Sequence, residues 1–167
     1  MSGLSLSPPM TALLSEIRRA ASSAPSLDSL QQTVVEALSR ELAHYNWTGF
    51  YMLDSRDPDT LVRGPFVGDP TPHVRIPVTQ GICGAAVASG ETVIVDDVNA
   101  DPRYLSCSIK TKSEIVVPIY SCGKVIGEID IDSHDPAAFT KEDKSLLEEV
   151  ARILGTYVEE HNEPLTP

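Results

Sequence analysis

The sequence predicts an α+β fold, in which a central antiparallel sheet carries helices on one face and loops over the other. Two observations predict it. Apolar residues recur at helical spacing near both ends of the chain, whereas from Asn46 the pattern changes to short β-prone runs divided by turn residues. The resulting order is helices, strands, one short helix, strands and a last helix.

The first segment, Ser7 to Ala24, places Met10, Leu13, Leu14, Ile17 and Ala20 at helical spacing, and Pro25 breaks it. A second helix is expected from Leu27 to His44, with Leu30, Val34, Leu38 and Leu42 on one face and Ser26 as its cap. "NWTGFYML" reads as an aromatic strand, "TLVRGPFV" as a strand after the turn signal "DSRDPD", and "VRIPV" as a strand after "GDPTP". Glycines bracket "QGICGAAVASG", which reads as a short helix with a tight entry. "ETVIVDD" is the next strand, followed by the long loop "VNADPRYLSCSIKTKS"; "EIVVPIY" and "KVIGEIDIDS" then form a hairpin across "SCG". The final helix begins at Thr140, with Asp143 at the capping-box position. Leu146, Leu147, Val150, Ile153, Leu154, Tyr157 and Val158 form its apolar face, and "EPLTP" ends it.

A chain of 167 residues with 41% hydrophobic and 22% charged content suits one soluble globular domain. Its net charge of −11 argues against a nucleic-acid or anionic-membrane surface, which would need clustered Lys and Arg. The first residues lack the basic and long apolar regions of a signal peptide, and no apolar run approaches bilayer-spanning length. A cytoplasmic protein is expected. Cys83, Cys107 and Cys122 are too few and too irregularly spaced for a disulfide scaffold or a zinc site, so free thiols are expected.

"KVIGEIDIDS" concentrates the chemistry. Strand alternation puts Val125, Gly127, Ile129 and Ile131 on one face and Glu128, Asp130 and Asp132 on the other. Carboxylates about 6–7 Å apart along a strand repel unless water screens them or a cation sits there. The acidic face is therefore either a solvated sheet face or a pocket wall for an ammonium group or metal, and crowding would raise one carboxyl pKa. Glu114, on the preceding strand, is either a strand-edge charge or a member of this cluster. "DIDSHD" lacks the glycine and terminal glutamate of a calcium loop, His134 reads as a turn residue, and no metal centre is assigned.

Cys107 lies in a polar loop beside Ser106, Ser108, Lys110 and Lys112, where nearby ammonium groups favour the thiolate. Cys83, at the start of the short helix, is either a small core residue or a thiol activated by the helix dipole. Cys122 falls in an exposed turn. Trp47 and Tyr51 share a strand face on either side of Gly49; they are either core residues or pocket walls suited to a sulfur-bearing group.

Taken in order, "NWTGFY", "VRIP…GICG", "DVNADPRYLSC", "SEIVVPI" and "GKVIGEIDIDS" resemble the free methionine-(R)-sulfoxide reductases built on a single GAF domain. The similarity runs from about Asn46 to the final helix. It implies a GAF-like fold over residues 1–167, with a helical extension (1–24), a GAF core (25–160) and a tail (161–167). It further implies Cys107 as nucleophile, with Glu114, Asp130 and Asp132 holding the amino group and sulfoxide oxygen of the free amino acid. Trp47 and Tyr51 would surround the S-methyl group. The family commonly has its resolving cysteine where this chain has His73, so Cys83 becomes the candidate resolver. The implied activity needs no bound cofactor and draws on thioredoxin or another dithiol; a GAF module that binds small molecules without turnover is the alternative. The apolar faces of the first and last helices also suggest a homodimer.

Overall fold

The computed structural model describes residues 5–106, 108–162 and 164–165. Helices α1 (Pro8–Ser23) and α2 (Leu27–Glu41) precede strands β1 (Trp47–Asp54), β2 (Asp57–Val67) and β3 (Arg75–Pro77). Helix α3 (Gly81–Ser89), strand β4 (Val93–Val95) and a 3₁₀ turn at Val98–Ala100 follow. The hairpin of β5 (Ser113–Ser121) and β6 (Lys124–Ser133) leads into α4 (Lys141–His161). The six strands form one sheet in the order β3-β2-β1-β6-β5-β4, with every neighbouring pair antiparallel.

Strand alternation divides this sheet between two apolar clusters. Phe50, Met52, Ile115, Val117, Ile119, Ile129 and Ile131 face α1, α2 and α4 and meet Ile17, Leu30, Val34, Leu38, Leu146, Val150 and Leu154. Tyr51, Leu61, Ile76 and Val116 face the other way, where Ile82, Cys83 and Ala86 of α3 cover them. The expected arrangement, with terminal helices on one face and a covered site on the other, is the one observed.

The helix ends follow local chemistry. The Ser26 hydroxyl accepts the Ser29 N–H at 3.1 Å, and Thr140 and Asp143 complete a reciprocal capping box. In the β5–β6 turn, Cys122 and Gly123 have φ of 51° and 77°, the paired positive values that a tight hairpin with right-handed twist requires.

The second helix stops at Glu41 rather than His44. Leu42 leaves the helical region, and its N–H closes the last turn on the Leu38 carbonyl. The next residues are held by the start of α4 instead: the Tyr45 hydroxyl donates to Asp143 Oδ1 at 2.5 Å, and His44 Nε2 lies 3.3 Å from the same oxygen. Tertiary bonding outweighs helix periodicity at this corner. The 3₁₀ turn inside the long loop is likewise set by a side chain, Asp97, which accepts the Asn99 N–H at 3.1 Å.

Part of the apolar surface that suggested a dimer packs within the chain, while Ala20, Ala21 and Ile153 stay partly exposed. Met10, Leu13, Leu14 and Ile17 of α1 are buried with the apolar face of α4, and the exposed large apolar residues described are Val74, Ile109 and Tyr120. None of these lies on α1 or α4.

Candidate active site

Register across three strands assembles the acidic wall. Between β1 and β6, Trp47 faces Asp132, Gly49 faces Asp130 and Tyr51 faces Glu128. Between β5 and β6, Glu114 faces Asp132 and Val116 faces Asp130. Glu114, Glu128, Asp130 and Asp132 therefore share the face beneath α3, and their relative exposures are 5%, 0%, 3% and 4%. The solvated-face reading is overturned, as is the reading of Glu114 as a surface charge. The physical reason is the cover: α3 and the loops beside it exclude the water that an isolated strand would have.

Burial makes ionisation of these groups costly. It is the main cause that pushes the Glu128 and Asp132 carboxyls well above the ordinary carboxylate range, and the Asp130 charge adds to both. Burial also raises Asp130, opposed by hydrogen bonding to Glu114 and Cys83. Glu114 lies close enough to Asp130 and Asp132 to hydrogen-bond with either, and a bond between two carboxyls needs a proton on one of them. The wall thus retains protons at a pH where exposed carboxylates have lost theirs, and it combines attraction for a cation with a proton to donate.

Glu128 joins this wall although the family resemblance implies no role for it. The available signal was its alternation with Asp130 and Asp132; what the sequence could not show is that Cys83 would lie against it. The Cys83 thiol is near Glu128 without meeting it in hydrogen-bond geometry, and neither Glu128 carboxyl oxygen has a hydrogen-bond partner among the described residues.

Of the two readings open for Cys83, the structure favours the small core residue over the dipole-activated thiol. Cys83 is 5% exposed, and burial, followed by the negative charges of Asp130, Glu128 and Glu114, raises its thiol pKa well above the ordinary value. A helix N-terminus contributes about 0.3–1 kcal/mol to a nearby anion, too little to offset desolvation beside three acidic groups. Cys83 is held as a neutral thiol.

Trp47 and Tyr51 are buried among apolar residues, and each also borders a cavity. Trp47 stacks on Phe66 at 5.5 Å between ring centroids and on Tyr51 at 6.1 Å. Gly49 permits this, because a Cβ there would collide with the Trp47 ring. Their polar ends are tied to one loop: Trp47 Nε1 donates to the Asp69 carbonyl at 3.0 Å, and the Tyr51 hydroxyl donates to the His73 carbonyl at 2.7 Å. His73 Nε2 in turn lies 2.8 Å from the Ser106 carbonyl, joining this loop to the segment that leads to Cys107. Cys107 itself lies outside the described residues.

Two spaces adjoin these groups. An inner cavity of about 10 Å³ is bordered by Tyr51, Cys83, Leu105, Glu114 and Asp130, among others. An outer one of about 210 Å³ reaches Trp47, Asp132, Lys110 and Thr111. The larger groove of about 710 Å³ between α2 and β2 contains none of the assigned residues.

The raised carboxyl pKa values have a consequence for stability. Between the ordinary glutamate pKa of about 4.3 and the higher folded value, the folded chain holds a proton that the unfolded chain has lost. Stability from this group is therefore fully present at acid pH and falls as pH rises. Glu128→Gln removes that loss, and we expect a higher Tm at pH 8 with little change at pH 4. Each kcal/mol corresponds to roughly 2–4 °C in a domain of this size. Parallel thermal melts at the two pH values check the sign; a Tm lowered more at pH 8 than at pH 4 contradicts it.

Comparison with known proteins agrees with this architecture. Residues 26–158 match the GAF domain family, so the fold and its covered site define a GAF-domain protein. The free methionine-R-sulfoxide reductase of Saccharomyces cerevisiae is 44% identical over 111 residues, 66% of this chain and 61% of that protein. This match thus spans about three fifths of the yeast protein's length. The Escherichia coli protein of the same name is 39% identical over 123 residues, 71% of this chain and 72% of that one. The X-ray structure of the Neisseria meningitidis reductase in complex with its substrate superposes with a TM-score of 0.86 at 35% identity, covering 95% of this chain and 96% of that one. The chain belongs to the free methionine-R-sulfoxide reductase family of oxidoreductases.

Proposed function

We propose that this protein reduces free methionine-(R)-sulfoxide to methionine, using electrons from thioredoxin or another dithiol. The observation that carries the reading is the buried group of Glu114, Asp130 and Asp132 beside Tyr51 and Trp47. Such a wall favours an α-ammonium group, while the stacked aromatic rings offer a surface for a methyl sulfoxide. A GAF module that binds without turnover would share the wall, but family membership supports the enzyme.

In this reading the Cys107 thiolate attacks the sulfoxide sulfur, and a protonated carboxyl of the wall gives its proton to the sulfoxide oxygen. Methionine leaves, and the oxygen ends on Cys107 as a sulfenic acid. The Cys83 thiol then condenses with it, forming a disulfide and releasing water; the external dithiol reduces that bond. The raised Cys83 pKa supports this division of labour, since a neutral buried thiol is a poor first nucleophile. The inner cavity is far smaller than the substrate, and Leu105 closes it against Gly81. Entry requires the segment carrying Leu105 to move outward.

Three experiments test the reading. With dithiothreitol as reductant, free methionine sulfoxide should be consumed while its N-acetyl derivative, which lacks the ammonium charge, is spared; equal turnover of both contradicts the wall's role. After one equivalent of substrate, peptide mapping should show a Cys83–Cys107 disulfide. In Cys83→Ser the first turnover should survive and thioredoxin-dependent cycling should fail. A sulfenic acid persisting on Cys107 beside a reduced Cys83 would show that an external thiol does the resolving.

A further inference from the structure

We propose that the reduced protein also binds a single thiophilic divalent cation, of the zinc or cadmium type, between Cys83, Glu114 and Asp130. The Sγ atom and one carboxylate oxygen from each acidic residue all lie within 4.8 Å of one another. They come from α3, β5 and β6, which is why no sequence spacing announces the set. The inner cavity they border has a volume of about 10 Å³, on the order of one water molecule. That space is too small for an amino acid and suits an ion with bonds of about 2.0–2.3 Å to oxygen and sulfur.

Glu128 supplies the second, independent observation. It is fully buried, it lies against the Cys83 thiol, and both of its carboxyl oxygens are without a hydrogen-bond partner among the described residues. Asp130 Oδ1 is buried and unpartnered in the same sense. Among the described residues, no lysine or arginine borders the inner cavity. A dication would balance these acidic groups, with Glu128 as a further ligand or as the carboxylate that orients Cys83. The binding step exchanges protons for metal: the Cys83 S–H bond breaks, a sulfur–metal bond forms, and the proton passes to solvent along with any held by the carboxyls. The sulfur donor favours zinc and cadmium over magnesium and calcium, which prefer all-oxygen sites.

The site does not rest on the reductase reading and is testable in a chain that reading makes inactive. In the reduced Cys107→Ser/Cys122→Ser protein, Cys83 is the sole thiol. Titration with Cd²⁺ should produce the ultraviolet thiolate-to-cadmium absorption, saturating at a single Cd²⁺ per chain, and Zn²⁺ should displace it. Adding Cys83→Ser should remove the absorption, and adding Glu128→Gln should weaken binding by at least about tenfold. In the reduced wild-type chain, bound Zn²⁺ should slow alkylation of Cys83, read by peptide mass mapping, without slowing that of Cys122. No thiolate–cadmium absorption in the folded variant, unchanged affinity in Glu128→Gln, or undiminished alkylation of Cys83 at saturating Zn²⁺ would each overturn the assignment.

Discussion

Cys107→Ser is expected to abolish reduction of free methionine sulfoxide even with excess dithiothreitol, whereas Cys122→Ser leaves it nearly intact. The first change removes the only atom to which the sulfoxide oxygen can pass in the proposed sequence; the second alters an exposed turn whose backbone N–H is bound by Glu159 Oε1 at 2.7 Å. A serine hydroxyl is not ionised near neutral pH and cannot replace the thiolate. The same contrast separates Cys107 from Cys83, because Cys83→Ser should still deliver one turnover. Initial rates and single-turnover yields of the three variants, measured side by side, check the assignment. Residual cycling in Cys107→Ser would move the nucleophile elsewhere.

Asp130→Asn and Asp132→Asn are expected to reduce kcat/KM by at least tenfold each, about 1.4 kcal/mol of transition-state stabilisation. Both residues interact with Glu114, so either substitution alters the charge and the proton of a shared unit. The double variant should therefore lose less than the product of the two single losses. Neither change should lower Tm at neutral pH, since each relieves the charge burden of a buried, crowded wall. Steady-state kinetics with melting curves distinguishes the outcomes. A variant with unchanged kinetics places that carboxylate outside the substrate, and a collapse in Tm would make its role structural.

The elements were readable because their local signals agree with the tertiary fold. Ser26 and Thr140 cap the helices that they precede, and alternation in "KVIGEIDIDS" sends Ile129 and Ile131 to one face and the carboxyls to the other. The errors and the open readings occur where distant contacts decide. His44, expected at the end of the second helix, is held with Tyr45 by Asp143, some hundred residues away in sequence. The position of Cys83 at a helix start left a core residue and an activated thiol both open; the carboxyls that raise its pKa come from β5 and β6. Glu128 carried the right alternation, but its burial depends on α3. His73 marked an absent cysteine in the sequence, whereas in the fold it bridges the Tyr51 hydroxyl to the Ser106 carbonyl. Residue types at the site can be read along the chain, but their protonation follows from who covers them.

The most direct measurement is the methionine formed when fully reduced protein meets each pure epimer of free methionine sulfoxide without added reductant. The proposed chemistry predicts a single equivalent of methionine per chain from the R epimer, none from the S epimer, and continued production from R once a dithiol is supplied. Saturable binding of the R epimer with no methionine formed, before or after the dithiol is added, would contradict it and leave a GAF module that holds its ligand without turning it over.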